Sequence, residues 1–167
     1  MAEIEVIRTE QVETIMEIPV VIVGGGGTGL CAALAARDAD VDVLVVEQDR
    51  QPMGTTAMST GLIPACGSAI QQAACIEDSA AIFAADIVSK TKGKVDVDLV
   101  NRVVEQSAQT IDWLAEKHAL ELSLVDGFTY PGHSVRRMHG MPGRSGGELM
   151  GALYSCLLYT SPSPRDS

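Results

Sequence analysis

A glycine-rich stretch near the amino terminus has residue types and spacing that could bind a ligand through the backbone. Gly24, Gly26 and Gly29 fit the pattern G-x-G-x-x-G, and Gly27 and Thr28 lie inside it. The first glycine permits a tight turn, the second lets a pyrophosphate approach the backbone, and the third lets a helix pack close to a strand. The free N–H groups and the positive dipole end of a following helix would then face the phosphates.

The segments on either side of this loop predict the elements that position it. Residues 19–23 are a continuous apolar, β-branched run, which is typical of a strand in a parallel sheet that is buried on both faces. Residues 30–37 are rich in helix formers, and residues 41–46 predict a second strand. Glu47 follows that strand, where a carboxylate can accept hydrogen bonds from a ribose diol. These features predict dinucleotide binding and leave FAD and NAD as alternatives.

Residues 51–68 form a second segment whose residue types could bind a ligand, and we call it the hydroxyl-rich stretch. Small, hydroxyl and glycine residues dominate it, so it can lie close to a flat ligand and offer N–H and O–H donors without bulk. A surface loop is the alternative, but Ala57, Met58, Leu62 and Ile63 make the stretch too apolar for one.

These two stretches resemble the flavoproteins of the fumarate reductase/succinate dehydrogenase type, a family that includes soluble fumarate reductases and 3-ketosteroid dehydrogenases. The resemblance covers residues 18–150 and is strongest at residues 20–47 and 54–61. It implies an α/β fold: a Rossmann-like FAD-binding domain whose parallel sheet is incomplete here, with following helices that lead to a missing capping domain. Asp112, Trp113 and Leu114 match a D-W-L that the family carries near the end of its second helix.

The resemblance also implies roles for individual residues. The residues implied to hold the FAD pyrophosphate are Gly24, Gly26, Gly27, Thr28 and Gly29. Glu47 is implied to bind the adenosine ribose. The residues implied to approach the ribityl chain and the isoalloxazine are Thr55, Thr56, Ser59, Thr60 and Gly61. Met53 and Leu62 stand where the family usually has glycines, and they add bulk near the expected flavin.

The same resemblance implies non-covalent FAD. Membrane succinate dehydrogenases carry a histidine in this stretch that bonds covalently to the cofactor, and Thr55 occupies that position here. The implied activity is that of an FAD-dependent oxidoreductase that moves a hydride between flavin and a C=C or C–C bond of a small or steroid-like substrate. Its substrate, direction and electron partner (a haem domain, a quinone, a free flavin or a nicotinamide) stay open. An NAD(P)-binding Rossmann protein and a non-catalytic dinucleotide-binding module are the alternatives.

Catalytic residues are not assigned, because the family supplies its proton donors and carboxylate clamps largely from the capping domain and later segments. Residues 127–140 nevertheless contain several basic side chains in an otherwise acidic chain: His133, Arg136, Arg137 and His139. Two alternatives are open for these four side chains. They bind a carboxylate substrate or stabilise the negative charge of reduced flavin, or they belong to a surface loop with incidental charges.

The composition limits the classes of partner. The net charge of −10 argues against nucleic acid, because phosphate binding needs clustered Lys and Arg. A small-molecule substrate and an electron donor or acceptor protein are the expected partners. We expect no membrane span, because no run of about 18 apolar residues occurs. The acidic start is unlike a secretory signal, so we expect a cytoplasmic protein. The cysteines have no metal-ligand spacing, and no metal is expected.

The chain divides into three predicted segments: an N-terminal extension (1–17), a partial FAD-binding domain (18–155) and a tail (156–167). The tail can be encoded by a transposon-end adapter of the kind used to prepare sequencing libraries. We therefore expect it to be foreign to the natural protein, which would make this chain the amino-terminal part of a longer one. A Ser/Pro-rich disordered tail is the alternative.

Helices are predicted for residues 77–90 and for residues 97–117, the second with Asp96 as its N-cap. Its apolar residues recur at helical spacing and predict one buried stripe.

Overall fold

The computed structural model describes residues 17–50 and 54–160, the last two without their side chains. Met53, the predicted N-terminal extension up to residue 16 and the tail beyond residue 160 lie outside the described residues. The strands are β1 (Val20–Val23), β2 (Val43–Val46), β3 (Ile63–Pro64), β4 (Ser123–Leu124) and β5 (Met138–Gly140). The helices are α1 (Gly27–Asp38), α2 (Gly54–Ala57), α3 (Ala69–Ala73), α4 (Ala80–Lys90), α5 (Val97–Asp112) and α6 (Gly146–Thr160).

The predicted strand–helix–strand unit is confirmed. β1 and β2 pair in parallel, with Val20 opposite Val43 and Val23 opposite Val46, and α1 connects them. The prediction that β1 is buried on both faces is wrong for the described residues. Val21 and Val23 are exposed, as are Leu44 and Val46 beside them in β2, because α1 packs against only one face of the pair. The other face of this two-stranded sheet is uncovered within the described part of the chain.

A second, antiparallel sheet was not predicted. Its strand order is β3-β5-β4, with Ile63 opposite His139 and Ser123 opposite Gly140. This pairing joins the end of the hydroxyl-rich stretch to the end of the stretch that contains the arginine pair. Such short strands carry too little alternation of apolar and polar residues to be predicted from sequence.

The main core lies where α1, α5 and α6 meet. Leu30 and Leu34 of α1 pack in one cluster with Ile111 of α5 and with Leu149 and Leu153 of α6, and each of these side chains is buried. A second cluster, formed by Cys66, Phe83 and Val104, lies between α4 and α5. The apolar stripe predicted for the second helix therefore contributes to both clusters. Burying apolar area is the main favourable contribution to folding.

The helix N-caps follow from local sequence. Asp96 caps α5 as predicted, because its carboxylate accepts the Leu99 N–H at 3.1 Å. α4 begins at Ala80, later than predicted, because Ser79 accepts the Ile82 N–H. α3 was missed, although Ser-x-x-Gln marks its start. Ser68 accepts the Gln71 N–H at 3.1 Å, and the Gln71 side chain accepts the Gly67 N–H at 2.6 Å.

The ends of α1 and α5 are joined through Asp38. α5 continues beyond Asp112 as one π-helical turn, Trp113–Lys117, which accounts for the predicted length of this helix. Trp113 Nε1 donates to Asp38 Oδ2 at 2.7 Å, and Lys117 Nζ and His118 Nε2 both lie 3.2 Å from the same oxygen. Burial opposes ionisation of this carboxylate, but the three donors outweigh burial and lower the pKa of Asp38.

The Arg137 guanidinium is fully buried between two acidic side chains. Nε and Nη2 donate to the two carboxylate oxygens of Asp78 at 2.9 and 3.0 Å, and Nη1 donates to Asp86. The group also stacks 4.5 Å above the centroid of the Phe83 ring. Both alternatives predicted for Arg137 are therefore corrected: it is neither a surface charge nor a donor free to bind a ligand.

His139 is also buried, and both of its ring nitrogens have protein partners. Nδ1 lies 3.0 Å from the Arg137 carbonyl oxygen, so it is the protonated nitrogen that donates, and Nε2 accepts from the Ser68 hydroxyl at 2.7 Å. Burial lowers the pKa of His139, so the imidazole is neutral. His139 thus joins β5 to the start of α3.

Arg136, unlike Arg137, forms an exposed ion pair with Asp126 at 2.7 Å.

The predicted boundary after Ser155 and the predicted foreign origin of the tail stay predictions. The predicted boundary after Ser155 falls within α6, and Cys156 and Leu157 pack against the main core. This continuity describes the present chain and does not test where the natural one stops.

None of the described helices is long and apolar enough to cross a membrane.

The adjacent arginines provide a matched test of this fold. Arg137→Met should lower the free energy of unfolding by about 3–5 kcal/mol, because it leaves two carboxylates without their buried partner. Arg136→Met should lower it by less than about 1 kcal/mol, because its ion pair is exposed. Urea denaturation followed by circular dichroism measures both values. Similar losses for the two variants would contradict the role given to Arg137.

Candidate functional site

The turn from β1 into α1 has the geometry that its glycines predict. Gly24 adopts a φ of 103°, which side chains disfavour, and its N–H donates to the Val46 carbonyl oxygen at 2.8 Å. A Cβ at Gly29 would overlap the Gly24 carbonyl oxygen, so α1 could not begin this close to the strand with any other residue there. The predicted tight turn and the predicted close packing of helix on strand are both confirmed.

Gly26 is the N-cap residue of α1 and supplies no capping side chain. A Cβ at this position would meet no described atom within 4 Å, so the space above the Gly26 backbone is open. The first amides of a helix carry a partial positive charge and can donate to an anion. The N-terminus of α1 therefore presents backbone donors to an open space of the kind that a phosphate group fits.

Glu47 lies beside the glycine-rich loop. Its carboxylate accepts the Gly25 N–H at 2.6 Å through one oxygen and the Asp49 N–H at 3.1 Å through the other. The hydrogen bond from Gly25 is the main cause of a lowered pKa, so Glu47 is ionised at neutral pH. Each carboxylate oxygen has capacity for a further hydrogen bond. Glu47 thus holds the loop in place and keeps acceptors for a ligand hydroxyl.

Within the hydroxyl-rich stretch, residues 54–61 fold as α2 followed by a tight turn, and the Ser59 hydroxyl holds that turn. Ser59 Oγ donates to the Thr56 carbonyl oxygen at 2.7 Å and accepts the Gly61 N–H at 3.0 Å. Gly61 is buried with a φ of 64°. Thr55 and Thr60 are exposed. Leu62, predicted to add bulk near the flavin, is partly buried, and the described residues do not test its effect there.

The two predicted stretches meet at one open cleft of about 370 Å³. It is lined by Ile22, Val23, Gly24, Gly26, Gly27, Thr28, Gly29, Ala32, Gly54, Thr55 and Thr56. The structure thus brings the five predicted pyrophosphate residues together with two of the predicted flavin residues. Glu47, Ser59, Thr60 and Gly61 do not line the cleft. A larger groove of about 490 Å³ between α1 and α5 contains none of the predicted site residues.

The side chains that line this cleft are apolar ones and threonine hydroxyls. Among the described residues, none that lines it has a titratable side chain, so the lining can donate hydrogen bonds but cannot move a proton at neutral pH. The four side chains singled out in residues 127–140, His133, Arg136, Arg137 and His139, are likewise absent from this lining.

Other proteins contain the same domain. Residues 19–159 match the family described as FAD binding domain. The chain is 34% identical over 139 residues to an NADH:fumarate oxidoreductase of Klebsiella pneumoniae, a match that covers 83% of the chain and 14% of that protein.

Solved structures show the same architecture. The open conformation of a flavocytochrome c3 fumarate reductase superposes with a TM-score of 0.75 at 30% identity, over 87% of this chain and 26% of the other. A 3-ketosteroid-Δ4-(5α)-dehydrogenase from Rhodococcus jostii superposes with a TM-score of 0.74 over 91% of this chain and 38% of the other, and at 22% identity it supports the fold alone. The chain therefore spans well under half the length of these relatives. With its matching glycine-rich turn, open cleft and overall architecture, this chain belongs to the FAD-binding domain family.

Proposed function

We propose that this chain binds FAD in the cleft between the β1–α1 turn and α2, as the cofactor-binding part of an oxidoreductase. The observation that supports this most is the cleft itself: the glycine-rich loop and the hydroxyl-rich stretch, far apart in sequence, line one open space. The family match gives the class of ligand. The absence of titratable side chains from the described lining supports a binding role rather than an acid–base role.

Different residues of the candidate site bind different parts of the cofactor. Gly24, Gly26, Gly27, Thr28 and Gly29 hold the pyrophosphate against the N-terminus of α1. Glu47 accepts hydrogen bonds from the adenosine ribose while it keeps its bond to Gly25. The residues that we place along the ribityl chain and the isoalloxazine are Thr55, Thr56, Ser59, Thr60 and Gly61. Because the Ser59 hydroxyl already bonds within its own turn, that residue contributes chiefly by shaping the turn.

The proposed reaction of the whole protein is hydride transfer to or from a carbon–carbon bond that is activated by a conjugated group. Flavin supplies that chemistry when bound, and the protein supplies orientation and electrostatics. The NADH:fumarate oxidoreductase and the flavocytochrome c3 fumarate reductase, both at 30% identity or more, are named for fumarate reduction, which favours a small unsaturated carboxylate as the substrate. We assign no proton donor to the described residues. The flavocytochrome among the relatives favours a haem protein or haem domain as electron partner, and the NADH:fumarate oxidoreductase favours a nicotinamide.

We place the protein in the cytoplasm, as its composition predicts. All four cysteines fall within the described residues and are free, as is usual for thiols in a reducing compartment.

The cofactor assignment is tested by spectroscopy on the full chain. Purified protein mixed with FAD and passed through a desalting column should retain yellow absorbance with stoichiometric flavin, and the same treatment with NAD should leave no bound nicotinamide. Retention of NAD alone would favour the plain dinucleotide-binding alternative.

The reaction is tested on the complete protein that the gene encodes, as established by long-read sequencing. Reduced flavin in that protein should be reoxidised by fumarate or another enoate under anaerobic conditions. A bound flavin that no enoate reoxidises would instead support a non-catalytic module.

Two glycines of the loop separate ligand binding from folding. Gly29→Ala should lower the free energy of unfolding by about 1–3 kcal/mol, because its Cβ meets the Gly24 carbonyl. Gly26→Ala should change stability by less than about 1 kcal/mol, since its Cβ meets open space. The same change should weaken FAD binding by roughly tenfold or more, because that space holds the pyrophosphate. Urea denaturation and fluorescence titration measure the two effects. A Gly26→Ala variant that bound FAD normally would contradict the proposed site.

The cofactor should dissociate when the protein is denatured. Thr55 has no imidazole through which a covalent bond to flavin could form. Acid precipitation of the FAD-loaded protein should leave all the yellow colour in the supernatant, as measured by absorbance of both fractions. Yellow colour that stayed with the washed precipitate would refute non-covalent binding.

A further inference from the structure

The first turn of α6 lies directly against the turn that follows α2. The N–H of Gly146 donates to the Ser59 carbonyl oxygen at 2.8 Å, and Gly146 is buried. A Cβ at Gly146 would overlap the Thr56 carbonyl oxygen. From the opposite side, a Cβ at Gly61 would lie 2.5 Å from the Ser145 carbonyl oxygen. Two glycines thus allow two backbones to touch with no side chain between them.

α2, which precedes that turn, contacts the glycine-rich loop. A Cβ at Gly27 would lie 2.9 Å from Thr56 Oγ1, and a Cβ at Gly54 would lie 3.7 Å from the Gly26 Cα. Thr56 therefore stands between the N-termini of two helices, α1 on one side and α6 on the other. A shift of either helix would move Thr56.

The start of α6 is itself held from several directions. Ser145 Oγ accepts the Glu148 N–H at 3.1 Å, and the Glu148 carboxylate accepts the Gly143 N–H at 2.7 Å, which resembles a capping box. The Arg144 guanidinium donates to the carbonyl oxygens of Gly140 and Ser123 at 2.6 and 2.8 Å. The loop before α6 is thereby tied to the antiparallel sheet, and α6 itself is anchored by its core leucines.

We infer that Gly146 is a positioning residue for the flavin: the first turn of α6 fixes how far the segment Thr56–Gly61 stands from the glycine-rich loop. This inference rests on the proposed function, because it concerns the same cleft. The contact acts between backbones, so it needs glycine at residue 146 specifically. Gly147, one residue later, is exposed, and a Cβ there meets no described atom within 4 Å.

The neighbouring glycines give a matched pair of variants of the full chain. Gly146→Ala should raise the Kd for FAD by roughly tenfold or more, because a displaced turn loses a contact of about one hydrogen bond. It should also alter the visible circular dichroism of bound flavin. Gly147→Ala should leave the Kd within about twofold of the parent value and the spectrum unchanged. Equal Kd values and identical spectra for Gly146→Ala and the parent would overturn the inference.

Hydrogen exchange separates this inference from the proposed function. Amides of residues 54–61 should exchange faster in Gly146→Ala than in Gly147→Ala, whether or not flavin is present, because the contact to Ser59 is lost. If the parent chain bound no FAD, the proposed function would fail, and the exchange result would still decide whether residue 146 holds the turn. Unchanged exchange at residues 54–61 would refute the holding contact.

If Gly146→Ala does not fold, variants that lack a helix N-cap test whether the first turn of α6 affects FAD binding. Ser145→Ala removes the hydroxyl that caps α6, and Ser79→Ala removes the equivalent cap of α4, which has no contact with the cleft. Both lose a cap of the same kind, but only Ser145→Ala should weaken FAD binding, by roughly threefold or more. Equal FAD affinities for the two cap variants would overturn the inference.

Discussion

The candidate site depends on the direct approach of one backbone to another at positions that have no Cβ. Gly29 lets α1 start against the carbonyl of Gly24, and Gly146 lets α6 start against the carbonyl of Thr56. Main-chain groups held in this way are placed more firmly than side chains, which can rotate. The cleft is therefore shaped by backbone geometry. Its lining has few functional groups but can match an extended ligand along its length.

The charged groups of the chain serve a different purpose. Arg137, which sequence alone offered as a ligand for substrate or reduced flavin, lies between Asp78 and Asp86 and holds α4 to the strand β5. A guanidinium buried with two carboxylates contributes little net stability, but its loss would leave uncompensated charge. The candidate cleft and the ionic framework are thus formed by different residues, and the neutral His139 links the framework to the end of the hydroxyl-rich stretch.

One face of the β1–β2 sheet is uncovered by the described part of the chain. Val21, Val23, Leu44 and Val46 expose apolar area on the face of the sheet that α1 does not cover. The matched relatives are several times longer than this chain. The open cleft and the half-covered sheet both belong to a chain that spans well under half the length of these relatives.

The sequence by itself determined the β1–α1–β2 unit, the glycine-rich turn, the cap at Asp96 and the family resemblance. The first three rest on residues close together in the chain, where steric rules for glycine, periodicity and helix capping act locally, and the resemblance rests chiefly on the short segments 20–47 and 54–61. Only the tertiary structure decided the partners of Arg137 and His139, the antiparallel sheet and the contact of Gly146 with Thr56. Those contacts join residues far apart in sequence, and no local pattern encodes which distant groups the packing of the core brings together.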